Sequence, residues 1–213
     1  MISSYQFRSL FLSLSGVYGF TYWWPAENPL EVVEGAILAQ NTSWKNAEKA
    51  LVSLKGLSGC DLLISEDLQR KIRAAGFYKQ KSLYLKEAIK YYIERIENAS
   101  LPFSAREELL NLKGIGKETA DSIALYAFHE RTIPVDSYTI RLLNRFFMEE
   151  LSIKDYELVR KQLAVTFLTD ELMEFHGLVD EHSKQICKKQ PLCISCPIKE
   201  KCLTGIRRQY RSQ

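Results

Sequence analysis

The sequence predicts an all-α protein, and three observations carry that prediction. Apolar residues recur at three- and four-residue steps through most of the chain. No convincing strand pattern or internal repeat interrupts them, and the connections marked by Gly, Pro, Ser and Asn are short throughout. With 213 residues, 46% of them hydrophobic and 26% charged, the chain can bury a sizeable core in one or two domains, which excludes a disordered polypeptide. The net charge of +3 does not by itself mark a nucleic-acid binder, so a DNA-binding surface would have to come from local asymmetry such as the basic tail from Lys199 to Arg211.

In chain order, residues Ser3 to about Leu14 read as an amphipathic helix. The apolar run Leu10 to Phe20 is interrupted by Ser13, Ser15, Gly16 and Gly19 and is too short to span a bilayer, so it reads as packed helix rather than signal or anchor. A cytoplasmic protein with reduced cysteines is expected, with no membrane partner. Tyr18, Phe20, Tyr22, Trp23, Trp24 and Pro25 form an aromatic connector. Dense aromatics serve equally as core or as the wall of a pocket that stacks on a flipped base.

Asn28-Pro29 opens a helix running to about Gln40, with Leu30, Val33, Ala36 and Ile37 on its buried face. A helix over Trp44 to Lys55 is stopped by Gly56 and Gly59, and a short one lies between Ser65 and Ala74. A long helix covers Tyr78 to Asn98, with lysines 79, 81, 86 and 90 on a solvated face. Cys60 sits in a connection, where a small buried residue is expected.

The next stretch carries the function. Leu109, Leu110 and Leu112 lead into Gly114-Ile115-Gly116, after which Thr119, Ala120, Ile123, Ala124 and Ala127 recur at helical spacing. This is a helix, a two-glycine hairpin and a second helix. The glycines accept positive φ, and the second helix can then present bare backbone N–H groups to a phosphate. Eighteen residues past Glu118, Asp136 follows Ile133-Pro134-Val135 at the start of a further helix ending near Met148, where an N-cap is its simplest role. Helices over Lys154 to Leu168 and Asp170 to Cys187 complete the periodic part.

Cys187, Cys193, Cys196 and Cys202 follow the spacing Cys-x5-Cys-x2-Cys-x5-Cys, a metal-site pattern in a reducing compartment. Four thiolates suit tetrahedral zinc or a 4Fe-4S cluster, and spacing does not choose between them.

Leu-x-Gly-x-Gly, a helix, then Val-Asp-x-x-x-x-Arg resembles the helix-hairpin-helix DNA glycosylases of the endonuclease III superfamily. The resemblance extends to Ala39-Gln40-Asn41-Thr42, to Gly76-Phe77-Tyr78 with Lys81, to Phe175-His176-Gly177 and to the four-cysteine tail. Within that superfamily Trp23-Trp24-Pro25 and the GIGKETAD hairpin look like the endonuclease III-like 3-methyladenine DNA glycosylases.

The resemblance implies a two-module fold. Residues 26–131 would form a six-helix barrel with the hairpin at about 105–128, and residues 1–25 with 132–213 a second helical module ending in an iron–sulfur cluster loop at 187–202. Damaged double-stranded DNA would be the partner, bound in the cleft by a monomer. Asp136 would be the catalytic carboxylate and Trp23, Trp24, Pro25 and Trp44 the base pocket. Gln40 would fill the gap left by the extruded nucleotide. Lys81, Gly114, Ile115, Gly116, Lys117 and Thr119 would contact DNA. The cysteines would hold a 4Fe-4S cluster, favoured over zinc although the first gap is one residue shorter than the family's, and would fold the basic loop bearing Lys199, Lys201, Arg207 and Arg208.

Bifunctional relatives carry a lysine two residues after the second hairpin glycine, where this chain has Glu118. Lys117 is adjacent, but one helical step turns a side chain by about 100°. The expectation is therefore a monofunctional glycosylase that hydrolyses the N-glycosidic bond of an alkylated purine such as 3-methyladenine. Two departures from that branch stand out: Leu178 follows the His-Gly where its bacterial example has lysine, and that example lacks the cysteine tail. The alternatives are a bifunctional glycosylase and abasic-site lyase, a non-catalytic damage-binding module, or an iron–sulfur redox sensor.

Overall fold

A computed structural model describes residues 2–21, 24–97 and 104–210, and these residues contain helices and no strand. Twelve α-helices are described among them: α1 (Ser4–Tyr18), α2 (Pro29–Leu38), α3 (Trp44–Val52), α4 (Gly59–Ile64), α5 (Leu68–Lys71), α6 (Tyr78–Glu97), α7 (Ala105–Leu109), α8 (Lys117–Phe128), α9 (Ser137–Phe147), α10 (Tyr156–Thr166), α11 (Thr169–Gln185) and α12 (Leu203–Tyr210). Short 3-10 turns at Arg73–Ala75 and Ile153–Asp155 lead out of α5 and into α10. No described helix is long and apolar enough to cross a membrane.

The starts of these helices follow from local chemistry. Ser3 and Gln6 form a reciprocal capping box at α1, Asn28 caps Glu31 N with Pro29 in the first turn of α2, and Ser104 caps Glu107 N at α7. Each such cap stabilises its helix by about 1 kcal/mol. Ser58 and Asp61 form another box at α4, so Gly59 begins a helix rather than ending one. That glycine also lies under α6, where an added Cβ would come within 2.9 Å of Ile93.

The chain divides into two compact units, Ala26–Glu130 and Met1–Pro25 with Arg131–Gln213. The first is assembled around α2, which packs on α3, α6 and α8 and buries every residue from Val32 to Leu38. The second is assembled around α11, packed by α1, α9 and α10. Its core holds Phe7, Leu10, Leu143, Leu163, Phe167 and Phe175, with the last two rings stacked at 5.4 Å.

Two expectations from the sequence are corrected here. Cys60 is exposed on α4 rather than buried in a connection. The tail after the cysteines is not all loop: Arg207 and Arg208 lie on α12, which packs on α9.

Candidate functional site

The hairpin joins α7 to α8 and is held by buried charge. Arg106 Nε donates to Asp121 Oδ1 at 2.7 Å, with both side chains buried, and Glu130 accepts from Arg106 N and from the Ser104 hydroxyl. A buried pair of this kind is costly to break from one side, because the partner charge is left unpaired. Gly114 has φ +83°, and a Cβ there would sit 2.4 Å from the Tyr84 ring, so both backbone and packing require glycine.

Gly116 differs from the sequence expectation: its φ is −89°, and an added Cβ would meet nothing within 4 Å. As N-cap of α8 it supplies no side-chain hydrogen bond, so the first turn of this twelve-residue helix carries no side-chain cap. Ile115 is buried under the turn, while Lys117 and Glu118 are exposed on the first turn of α8.

Gln40 is drawn to the same place. Its Nε2 donates to Gly114 O at 3.0 Å and to Thr119 Oγ1 at 3.1 Å, tying the end of α2 to the hairpin. Lys81 is a correction. Only 2% exposed rather than set on a solvated face, its ammonium donates to Leu38 O and Ala75 O, both at 2.8 Å, and so closes the C-terminal ends of two helical segments. Burial also holds its pKa below the usual lysine range. Sequence reasoning noted Phe77 only as part of the Gly76-Phe77-Tyr78 motif and gave it no role; it is 65% exposed with φ +46°, a strained conformation for a bulky residue. Its signal was an aromatic directly after a glycine.

In the other unit, Ile133 to Val135 are buried and deliver Asp136 to the start of α9. Asp136 caps that helix: Oδ1 accepts from Thr139 N at 2.7 Å and from Thr139 Oγ1 at 2.8 Å. Among the described residues its Oδ2 accepts no hydrogen bond, and the residue is partly exposed. The capping role and a chemical role are therefore compatible, one oxygen serving each.

Helix α11 packs on α9 and sets His176, Asp180 and Lys184 at four-residue steps along one face. His176 and Asp180 both lie close enough to feel the Asp136 charge. Burial holds the His176 pKa below the ordinary imidazole value and pushes Asp180 up to about 6. The sequence reading noted His176 only as part of a motif and missed Asp180, because a lone acid on a helix reads as solvated.

Of the expected pocket aromatics, Trp23 lies outside the described residues. Trp24 is partly buried, Pro25 is exposed, and Trp44 is the partly buried first residue of α3. The connector before them is anchored by Thr21 N donating to the buried carboxylate of Glu174.

Cys187, Cys193, Cys196 and Cys202 are all free thiols and all line one small, partly open cavity shared with Arg145 and His182. Helix α9 latches the loop in place. Arg141 Nε donates to Cys187 O at 2.9 Å, and Arg145 donates to Lys188 O at 2.6 Å and Lys189 O at 2.9 Å, with Nη1 3.4 Å from Cys187 Sγ. The Arg of Val-Asp-x-x-x-x-Arg thus ties the Asp136 helix to the cysteine loop. Behind it, Tyr18 Oη lies 2.8 Å from His182 Nδ1, and His182 Nε2 lies 3.9 Å from Cys196 Sγ.

Burial pushes the Cys196 and Cys202 thiols up, and neighbouring sulfurs add to the shift, so four thiolates here call for a bound cation. Among the described residues no three His, Cys, Asp or Glu side chains close on a single metal ion. The donor set fits a cationic group that the cavity surrounds.

Residues 35–167 match the family model of the HhH-GPD superfamily base excision DNA repair proteins. The Methanocaldococcus jannaschii protein named "Putative DNA repair glycosylase MJ1434" is 43% identical over 202 residues, spanning 88% of this chain and 91% of that one. Endonuclease III of Thermotoga maritima is 30% identical, spanning 82% and 83%. The crystal structure of Helicobacter pylori 3-methyladenine DNA glycosylase bound to 1,N6-ethenoadenine superposes with a TM-score of 0.72 at 26% identity, over 86% of this chain and 98% of that one. The chain belongs to the HhH-GPD superfamily and is a base excision DNA repair glycosylase of the endonuclease III fold.

Proposed function

We propose that this glycosylase is monofunctional and releases an alkylated purine, such as 3-methyladenine, by direct hydrolysis. The observation that carries the reading is the state of Asp136. One oxygen is locked to its own helix by Thr139, while the other accepts no hydrogen bond among the described residues. A carboxylate held this way stabilises positive charge on the sugar as the base leaves, and it orients and deprotonates the attacking water.

No lysine stands two residues past Gly116 to attack the sugar; Glu118 does, on the exposed first turn of α8. The bare start of α8 with Lys117 beside it would take a DNA phosphate, and Gln40, already bound to Gly114 O, would fix the hairpin for that contact. Phe77, exposed, would offer an aromatic face to an unstacked base step. Trp23, Trp24, Pro25 and Trp44 remain the residues the sequence nominates for the base, since stacking and a cation–π contribution favour a purine made cationic by alkylation.

The four cysteines would hold a 4Fe-4S cluster. Zinc binds about 2.3 Å from each sulfur and draws its four ligands close together, whereas a cluster holds them further apart; that the four cysteines line one cavity supports the larger group. Such a cluster would cross-link the 187–202 loop and present Lys199 and Lys201 to phosphate; Arg141 and Arg145 hold the loop's carbonyls in register.

The test is a panel of DNAs, each with one lesion class: methylated purines, ethenoadenine, uracil, thymine glycol, 8-oxoguanine and a G·T mismatch. Free base is scored for the wild type and for Asp136→Asn. Release of a methylated purine that Asp136→Asn abolishes supports the reading. Release confined to oxidised or mismatched bases overturns the substrate, and release by Asp136→Asn at the wild-type rate overturns the mechanism.

A further inference from the structure

Lys81 stands in the first turn of α6 with its ammonium enclosed, 2.8 Å from Leu38 O and 2.8 Å from Ala75 O. Burial acts on it with no counter-charge to offset the cost. An ammonium taken out of water in this way is expensive, and a methionine of similar length would fill the space without that expense. What a methionine could not do is hold the two carbonyls.

Both carbonyls stand where the chain turns out of a helix toward an exposed residue. Leu38 ends α2, and Asn41, three residues on, is exposed with φ +51°. Ala75 ends a 3-10 turn, and Phe77, two residues on, is exposed with φ +46° after Gly76 at φ +70°. Left-handed backbone at Asn41 and Phe77 is unfavourable and persists only where the surroundings hold it. The first turn also carries Gln40, whose Nε2 is bound to Gly114 O and Thr119 Oγ1. A continuous linkage therefore runs from the Phe77 turn through the Lys81 ammonium to the end of α2, and from there through Gln40 to the hairpin. All of it lies within the unit Ala26–Glu130.

Resting on the reading of the hairpin as the phosphate grip and of Phe77 as the side chain that meets an unstacked base step, we propose that Lys81 is a positioning residue that fixes Phe77 relative to the hairpin. Phosphate contacts set the register of a protein on a duplex without reading its sequence. An inserted side chain opens one base step, so it has to keep a set spacing from that grip. Lys81 supplies the spacing by joining the two turns from behind.

The experiment uses a duplex with 2-aminopurine opposite an abasic-site analogue, whose fluorescence rises as the base unstacks, and an undamaged duplex for affinity. Lys81→Met should cut the fluorescence rise at saturating protein by more than about half, as should Phe77→Ala. Lys81→Met should bind the undamaged duplex within about twofold of wild type, with an unchanged slope of log affinity against log salt. The double variant should lose no more signal than Phe77→Ala alone. A full fluorescence rise in Lys81→Met, a slope reduced by about one, or a further loss in the double variant overturns the proposal.

A measurement on the wild type covers the case in which Lys81→Met fails to fold. In isotope-labelled protein the Lys81 ammonium should give a slowly exchanging resonance coupled through its hydrogen bonds to the Leu38 and Ala75 carbonyl carbons, and should keep it on DNA. Loss of that coupling on binding means that the ammonium has left the joint, and it overturns the proposal. Phe77→Ala separates the two failures. If it loses the fluorescence rise while Lys81→Met keeps it, only the role of Lys81 falls. If Phe77→Ala unstacks the base as the wild type does, the reading of Phe77 falls and takes this one with it.

Discussion

Two helix starts, those of α8 and α9, solve the same backbone problem in opposite ways. Each leaves several N–H groups without helical partners. At α8 the N-cap is Gly116, which has no side chain to offer, and the flanking turn is held instead by Gly114 against Tyr84 and by Gln40 on Gly114 O. At α9 the N-cap is Asp136, whose Oδ1 satisfies Thr139 N. The first arrangement leaves donors for an outside anion. The second consumes a donor internally, and by doing so fixes a carboxylate whose other oxygen is left for chemistry. A cap and an active-site acid need not compete when a carboxylate has two oxygens to divide between them.

The sharpest way to break this comparison is Asp136→Asn. Asparagine caps a helix about as well as aspartate, so thermal stability should hold within about 0.5 kcal/mol. Base release should fall by about a thousandfold, because the neutral amide can neither offset a sugar cation nor accept a proton. Equal losses of stability and activity would make Asp136 a cap and nothing more. On the other side, Gly114→Ala should destabilise the protein by about 2–4 kcal/mol in a melting experiment, from strain at φ +83° and the clash with Tyr84. Gly116→Ala has room and an ordinary φ, so it should melt near wild type.

Two smaller effects refine the contrast. Glu118→Lys restores an amine at the position bifunctional relatives use, and borohydride on abasic DNA should then trap an adduct absent from the wild type. Lys117→Ala should weaken binding about threefold across all duplexes and reduce the slope of log affinity against log salt by about one, the mark of one lost phosphate contact. A loss confined to one sequence or lesion would place Lys117 at a base instead.

Much of this was legible in the chain because local chemistry decided it. Gly-Ile-Gly between two apolar-periodic runs, and Asp after Ile-Pro-Val, mark their helices without help from the rest of the fold. What stayed hidden was decided by distant packing. Lys81 sits among lysines at helical spacing and looks solvated, but the carbonyls of Leu38 and Ala75 capture its ammonium. Asp180 looks like an ordinary surface acid until α9 is laid against α11. Helix α12 was obscured by Gly205, a poor helix former that here allows close approach to Lys199 O, which a Cβ would meet at 2.5 Å. Helix α4 also escapes the sequence reading: Ser58-x-x-Asp61 is a capping box, but the flanking Gly56 and Gly59 read as a connection.

The central claim, hydrolysis by one carboxylate with no covalent amine, is tested most directly by single-turnover reaction on a lesion duplex with borohydride present. Free base and protein–DNA adduct are quantified in the same tube. The account requires free base to appear at the full rate with no adduct formed, and both to be absent in Asp136→Asn. An adduct that grows in step with base release would contradict it.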